Sequence, residues 1–158
     1  LIDKLLHLSS HSKKADSLVL EITESALVDE GSVKILSQLK DAGYIIALDD
    51  FGTGFSSLSH IAKMPIQILK IDQSFIDQSG HSQRDMTLLK NIILMAKGLN
   101  LTIIAEGVEE IEQASLLIQF GCHNMQGYLY SKPIPLSGLN ESLSDMPTLK
   151  YPDITEDR

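Results

Sequence analysis

Four short apolar runs in this chain each close on charge: Leu18-Val19-Leu20 on Glu21, Tyr44-Ile45-Ile46-Ala47-Leu48 on Asp49-Asp50, Ile66-Gln67-Ile68-Leu69 on Lys70 and Asp72, and Leu101-Thr102-Ile103-Ile104-Ala105 on Glu106. Near-continuous apolar strands belong to parallel sheets covered on both faces. Crossovers of roughly twenty residues or more separate the runs, which predicts parallel strands joined by right-handed connections. The fold class is α/β. In such folds the C-terminal ends of the strands make the functional face, whether the sheet closes into a barrel or stays open. One charged residue at a buried strand end means little. Charge at four such ends in succession is too costly to ascribe to solubility.

In chain order, Leu1, Leu5 and Leu8 stand at helical spacing before a polar break from Ser9 to Lys14. His7 and His11 offer too few ligands for a structural zinc site. A first strand is predicted over 17–24. A helix follows from an N-cap at Ser32 through Val33, Leu36 and Leu39 to a left-handed Gly43. A second strand covers 44–49. A short helix from Ser56 buries Leu58, Ile61 and Ala62 and stops at Met64-Pro65. The third strand covers 66–72, and a surface loop runs on through Gly80. A longer helix over 84–97 turns Leu88, Leu89, Ile92, Ile93 and Ala96 to the core and ends at Gly98. A fourth strand covers 101–106. Ile111, Ala114, Leu117 and Ile118 face inward from a helix closed by Gly121, a weaker fifth strand lies in 124–130, and 137–145 forms one more helix. The remainder reads as a frayed tail.

The chain of 158 residues, 43% hydrophobic, suffices for one ordinary core. Its net charge of −8 argues against holding a nucleic-acid polymer, which requires clustered Lys and Arg. A phosphate-bearing substrate would need metal ions to bridge like charges. Cys122, the single cysteine, excludes an internal disulfide and reads as a small core residue. No apolar run has the length of a membrane span and no signal-like N-terminus appears, so a cytoplasmic location is expected, alone or as the cytoplasmic part of a larger, membrane-bound protein.

The richest stretch is Asp49-Asp50-Phe51-Gly52-Thr53-Gly54-Phe55-Ser56-Ser57-Leu58. Two adjacent carboxylates at a buried strand end persist where a cation, a proton or a strong donor compensates them. A strand-to-helix turn with two solvated aspartates is the plainer reading. Glu21, Asp49, Asp50 and Glu106 offer oxygen ligands only, which favours Mg²⁺ or Mn²⁺ over zinc or copper. Lys70 is either a structural counter-ion to these acids or the group that orients an attacking water and stabilises charge on phosphate. Two metals about 3.5 to 4 Å apart would generate the nucleophile for in-line displacement at phosphorus, which makes phosphodiester hydrolysis the natural reaction.

Five motifs, in order, closely resemble the EAL family of cyclic di-GMP phosphodiesterases: Leu20-Glu21-Ile22-Thr23-Glu24-Ser25, the Asp49-to-Leu58 stretch, Leu69-Lys70-Ile71-Asp72, Ala105-Glu106-Gly107-Val108-Glu109 and Gln126-Gly127-Tyr128. The resemblance implies a (β/α)₈ TIM-type barrel, of which the last five strand-helix units are visible, over residues 1–145, with 146–158 as a C-terminal tail. It implies cleavage of cyclic di-GMP to linear pGpG with two Mg²⁺ or Mn²⁺ ions. By resemblance Glu21, Asp49, Asp50 and Glu106 are metal ligands, with Asp49 bridging, and Lys70 holds the catalytic water. Glu24 braces the loop after Asp50, and Asp72, Glu109 and Gln126 are substrate-proximal or supporting groups.

The family's Glu-Ala-Leu strand, its nearby arginine and its metal-binding asparagine are not in this sequence. The expectation is therefore a segment of a longer chain, or a barrel completed by another polypeptide. The alternative is a non-catalytic module that senses cyclic di-GMP or binds a protein. A homodimer is also expected from the family, whereas no membrane contact is expected of this segment. An open-sheet receiver domain fits poorly, because it wants its acidic pair after the first strand.

Overall fold

The computed structural model describes residues 18–24, 30–52, 58–78 and 82–139. Five strands form one sheet: β1 (Val19–Thr23), β2 (Ile45–Phe51), β3 (Ile68–Ile71), β4 (Thr102–Ala105) and β5 (Asn124–Met125). They lie side by side in sequence order and every neighbouring pair is parallel. Strictly sequential order leaves no reversal point of the kind that defines an open doubly wound sheet, and is the order of a β/α barrel wall.

Register divides the sheet into two chemically different faces. Because side chains alternate along a strand, partners in parallel register share a face. Glu21 pairs with Ala47, Ala47 with Ile68, Lys70 with Ile104, and Ile104 with Asn124. One face thus carries Glu21, Asp49, Lys70 and, just past β4, Glu106. The other carries Ile46, Leu48, Leu69, Ile71, Ile103 and Ala105, all buried. Helices α1 (Glu30–Asp41), α4 (Gln83–Gly98) and α5 (Ile111–Phe120) contribute Leu36 and Leu39, Leu89, Ile92, Ile93 and Ala96, and Ala114 and Leu117 to this core. Each leucine or isoleucine among them contributes about 1.5–3 kcal/mol of burial free energy. Cys122 belongs to the core as expected.

Local signals set most helix ends. Ser82 Oγ accepts the Asp85 N–H at 3.2 Å to open α4, and Gln113 Oε1 accepts the N–H groups of Glu109 and Glu110 at 2.8 and 3.0 Å to open α5. Gly43 and Gly121 take the expected positive φ after α1 and α5. Gly98 does not: it lies in the last turn of α4, and Asn100, at φ 56°, supplies the left-handed residue instead. Asparagine tolerates that region through its short polar side chain.

Other expectations are corrected. Ser32 is not an N-cap, because α1 already begins at Glu30. Helix α2 (Leu58–Ile61) buries Ile61, but Ala62 is exposed beyond its last turn; the Leu58 side chain lies outside what is described. Leu88 is 49% exposed on the outer side of α4 and Ile111 39% exposed at the start of α5, so neither belongs to the core. The loop expected after β3 is instead a helix, α3 (Gln73–Gln78). Its polar composition concealed two apolar residues, Phe75 and Ile76, that it turns inward, and Asp72 Oδ1 caps it by accepting the Ser74 N–H at 3.0 Å. Strand β5 is only two residues long, since 127–130 turn back so that the Leu129 N–H meets the Val108 carbonyl at 3.0 Å. A 3₁₀ turn, Leu136–Gly138, is described at the start of the last expected helix. The terminal stretches with His7, His11 and 146–158, and residues 53–57, fall outside the described residues.

Candidate active site

Lys70 is the hub of the polar face. Its Nζ lies 3.0 Å from Glu21 Oε1, 2.9 Å from Asp49 Oδ1 and 2.9 Å from Glu106 Oε1. β1, β2, β3 and the residue after β4 therefore each bring one charged group to a single point. The Lys70 side chain is 7% exposed, those of Asp49 and Glu106 21% and 19%, while Glu21 is half open to solvent. Burial works to lower the Lys70 pKa, but the hydrogen bonds with Glu106, Asp49 and Glu21 outweigh it and hold the ammonium protonated well above the ordinary lysine value. Burial pushes the Glu106 carboxyl up; Lys70 opposes that, and the neighbouring Asp49 charge adds to it. Three carboxylates on one ammonium leave an excess of two negative charges when all are ionised.

Asp50 joins the cluster by an irregular route. On a regular strand Asp49 and Asp50 would point to opposite faces. From Leu48 to Phe51 β2 advances three residues while β3 advances two, from Leu69 to Ile71, so β2 carries one extra residue there. Asp50 adopts φ 53° and its N–H donates to Asp49 Oδ1 at 3.1 Å. As a result Asp49, Asp50 and Glu106 each present a carboxylate oxygen within 4.8 Å of the others. An all-oxygen acidic set with surplus negative charge is the chemistry that hard divalent cations such as Mg²⁺ and Mn²⁺ take, so the residues fit such ions.

The remaining residues of interest lie around this centre. Glu24 is buried and its Oε2 accepts the Gly52 N–H at 3.2 Å. Glu21 meets the centre through Lys70 and stands outside the Asp49, Asp50 and Glu106 triad. Asp72 is engaged in capping α3. Glu109 is exposed and contacts Gln113 through its backbone. Gln126 is exposed beside the Glu106 segment, its N–H on the Ala105 carbonyl at 2.8 Å and its carbonyl accepting from Val108 at 3.0 Å. Sequence reasoning overlooked Phe75, which lies over Gly52. The signal was present in Asp72-Gln73-Ser74, an aspartate cap ahead of an apolar pair.

A sequentially ordered parallel sheet whose strand C-termini converge on an oxygen-rich acidic centre defines a protein of the β/α-barrel class with its candidate site at the usual end of the strands. The chain belongs to the EAL domain family, whose pattern matches residues 1–133. The cyclic di-GMP phosphodiesterase NbdA of Pseudomonas aeruginosa is 42% identical over 147 residues, covering 90% of this chain and 19% of that protein. Among solved structures, the P. aeruginosa MucR phosphodiesterase in complex with c-di-GMP shares 41% identity at a TM-score of 0.77, covering 84% of this chain and 54% of that one. The manganese and cyclic di-GMP complex of Klebsiella pneumoniae BlrP1 shares 28% identity at a TM-score of 0.74, covering 84% of this chain and 34% of that one. The expected TIM-barrel class is thereby borne out. The chain spans about a fifth of the length of the curated relatives it matches. Among the described residues no helix is long and apolar enough to cross a membrane.

Proposed function

We propose that this chain forms part of a phosphodiesterase that hydrolyses cyclic di-GMP to linear pGpG. The observation that carries the reading is the convergence of Glu21, Asp49 and Glu106 on Lys70, with Asp50 turned to the same side. Relatives named as cyclic di-GMP phosphodiesterases and neighbours solved with c-di-GMP support the substrate, and the neighbour solved with manganese supports the cofactor.

In this reading Asp49, Asp50, Glu106 and Glu21 would hold Mg²⁺ or Mn²⁺. When bound, the ions supply Lewis-acid polarisation of the phosphoryl oxygens and lower the pKa of water. Lys70 orients the attacking water by hydrogen bonding and stabilises the negative charge that grows on phosphate, a role its strongly retained proton suits. Glu106, whose Oε1 lies 2.9 Å from Lys70 Nζ, holds that ammonium in place beside the reacting phosphate. Glu24 fixes the backbone after Asp50, and Asp72, Glu109 and Gln126 frame the rim on which the substrate lies. A cytoplasmic location and a homodimer are part of the same proposal.

The test is hydrolysis of cyclic di-GMP with Mn²⁺, followed by chromatography for pGpG, with Asp49→Asn as control. Product that disappears in the control is expected. Binding of cyclic di-GMP without turnover, in a chain that binds Mn²⁺, would replace the reading with a sensing module.

A further inference from the structure

The acidic triad depends on a backbone conformation that the sequence alone does not favour. Asp50 occupies the left-handed region, which few L-residues other than asparagine and aspartate visit, and does so inside a bulge that turns its side chain to the Asp49 side. Gly52, two residues on, sits at φ 97°. There the backbone is gripped from two directions. Glu24, at the end of β1, accepts the Gly52 N–H. From the other direction the edge of the Phe75 ring lies so close to the Gly52 α-carbon that a methyl group there would overlap its Cζ and Cε2 atoms. Phe75 stands on α3, whose cap Asp72 is two residues past Lys70, and it packs against the buried core. One short segment of chain therefore carries both the ammonium at the centre and the ring that presses on the strand opposite it.

We propose that Phe75 is a positioning residue: its ring, seated on Gly52, holds the bulged end of β2 so that Asp49 and Asp50 face Glu106 together. The consequence for metal binding and turnover rests on the phosphodiesterase reading, whereas the clamp itself does not. Phe75 touches no reacting atom, and acts through the backbone of Gly52 and Asp50.

The experiment compares wild type with Phe75→Ala and Phe75→Leu. It reads circular dichroism for the fold, backbone chemical shifts of Asp50 and amide exchange of Gly52 by NMR, Mn²⁺ affinity by calorimetry, and kcat and KM separately. The expected result for Phe75→Ala is a native far-ultraviolet spectrum, Asp50 shifts moved away from left-handed values, faster Gly52 exchange, and Mn²⁺ affinity lower by about tenfold or more, the scale seen when a group supporting a metal ligand is removed. kcat should fall more than KM rises, and Phe75→Leu should recover part of each loss. Unchanged Asp50 shifts and Mn²⁺ affinity in a folded Phe75→Ala protein overturn the proposal. If Phe75→Ala does not fold, Phe75→Leu decides by the same readouts. If wild type binds no Mn²⁺, the metal reading fails by itself, and the Asp50 shifts and Gly52 exchange still decide the clamp.

Discussion

The Glu24 carboxylate, 6% exposed, accepts the Gly52 N–H at 3.2 Å and so ties the end of β1 to the end of β2. A buried hydrogen bond to an ionised group contributes about 1.5–3 kcal/mol, and removing one partner strands the other. Glu24→Ala is expected to lower stability by about 2 kcal/mol and to weaken Mn²⁺ binding. Glu24→Gln, which keeps an acceptor oxygen, should lose less of both. Chemical denaturation and calorimetry on the two variants check this ordering.

Lys70 compensates three carboxylates, so its replacement leaves their repulsion unrelieved. Lys70→Met, which keeps the apolar stem, should cost about 3 kcal/mol in the absence of divalent cations. Added Mn²⁺ should then raise the melting temperature of Lys70→Met by more than that of wild type, because the ion replaces the lost charge. Activity should not return. Thermal melts with and without Mn²⁺, and with the chelated control, measure the difference.

Gly127 serves as close packing. A methyl group there would overlap the backbone carbonyl of Val108, which cannot swing aside as a side chain can. Gly127→Ala should destabilise by about 2 kcal/mol or more, shifting the melting temperature by several degrees, as overpacking in a fixed backbone does. Gly138, with no atom of the described residues within 4 Å of where a Cβ would stand, is the matched control and should tolerate alanine.

Burial raises the Cys122 thiol pKa above its ordinary value near 9.0, against the opposing hydrogen bonds of the Asn124 and Ala105 backbone. The folded state therefore binds this proton more tightly than the unfolded chain. That contribution is complete below the ordinary thiol value and is lost as pH rises through the raised one. Wild type should lose more stability than Cys122→Ala as the pH rises above the ordinary thiol value, as read by denaturation at each pH. The native thiol should also react with a disulfide reagent only on unfolding.

Much of this fold was legible because burial writes itself into strands. Runs such as Tyr44 to Leu48 and Leu101 to Ala105 admit few other placements, and the charge closing each run located the face with the site. The first, third and fourth strands were read too long by one or two residues at their ends, whereas β2 continues two residues past the expected Asp49 and β5 keeps only two of its seven expected residues. Helix α3 escaped notice because six residues show less than two turns of periodicity, and its inward side is two residues wide. Asp50 was expected among the ligands, but the bulge that brings it there was not legible: strict alternation would have separated it from Asp49, and an extra residue in a strand leaves no compositional trace.

The division of the sheet into an apolar and a charged face has a consequence for how the chain finds its structure. A strand that paired one residue out of step would drive Lys70, Glu21 or Asp49 among the leucines and isoleucines beneath the helices, and would turn Ile71 or Leu48 outward. The charged groups thus behave as the teeth of a key. Misaligned pairings are rejected during folding by the same side chains that later gather around Lys70, so neutralising several of them at once should produce a protein that is slower to settle on one alignment, even where the final state is no less stable.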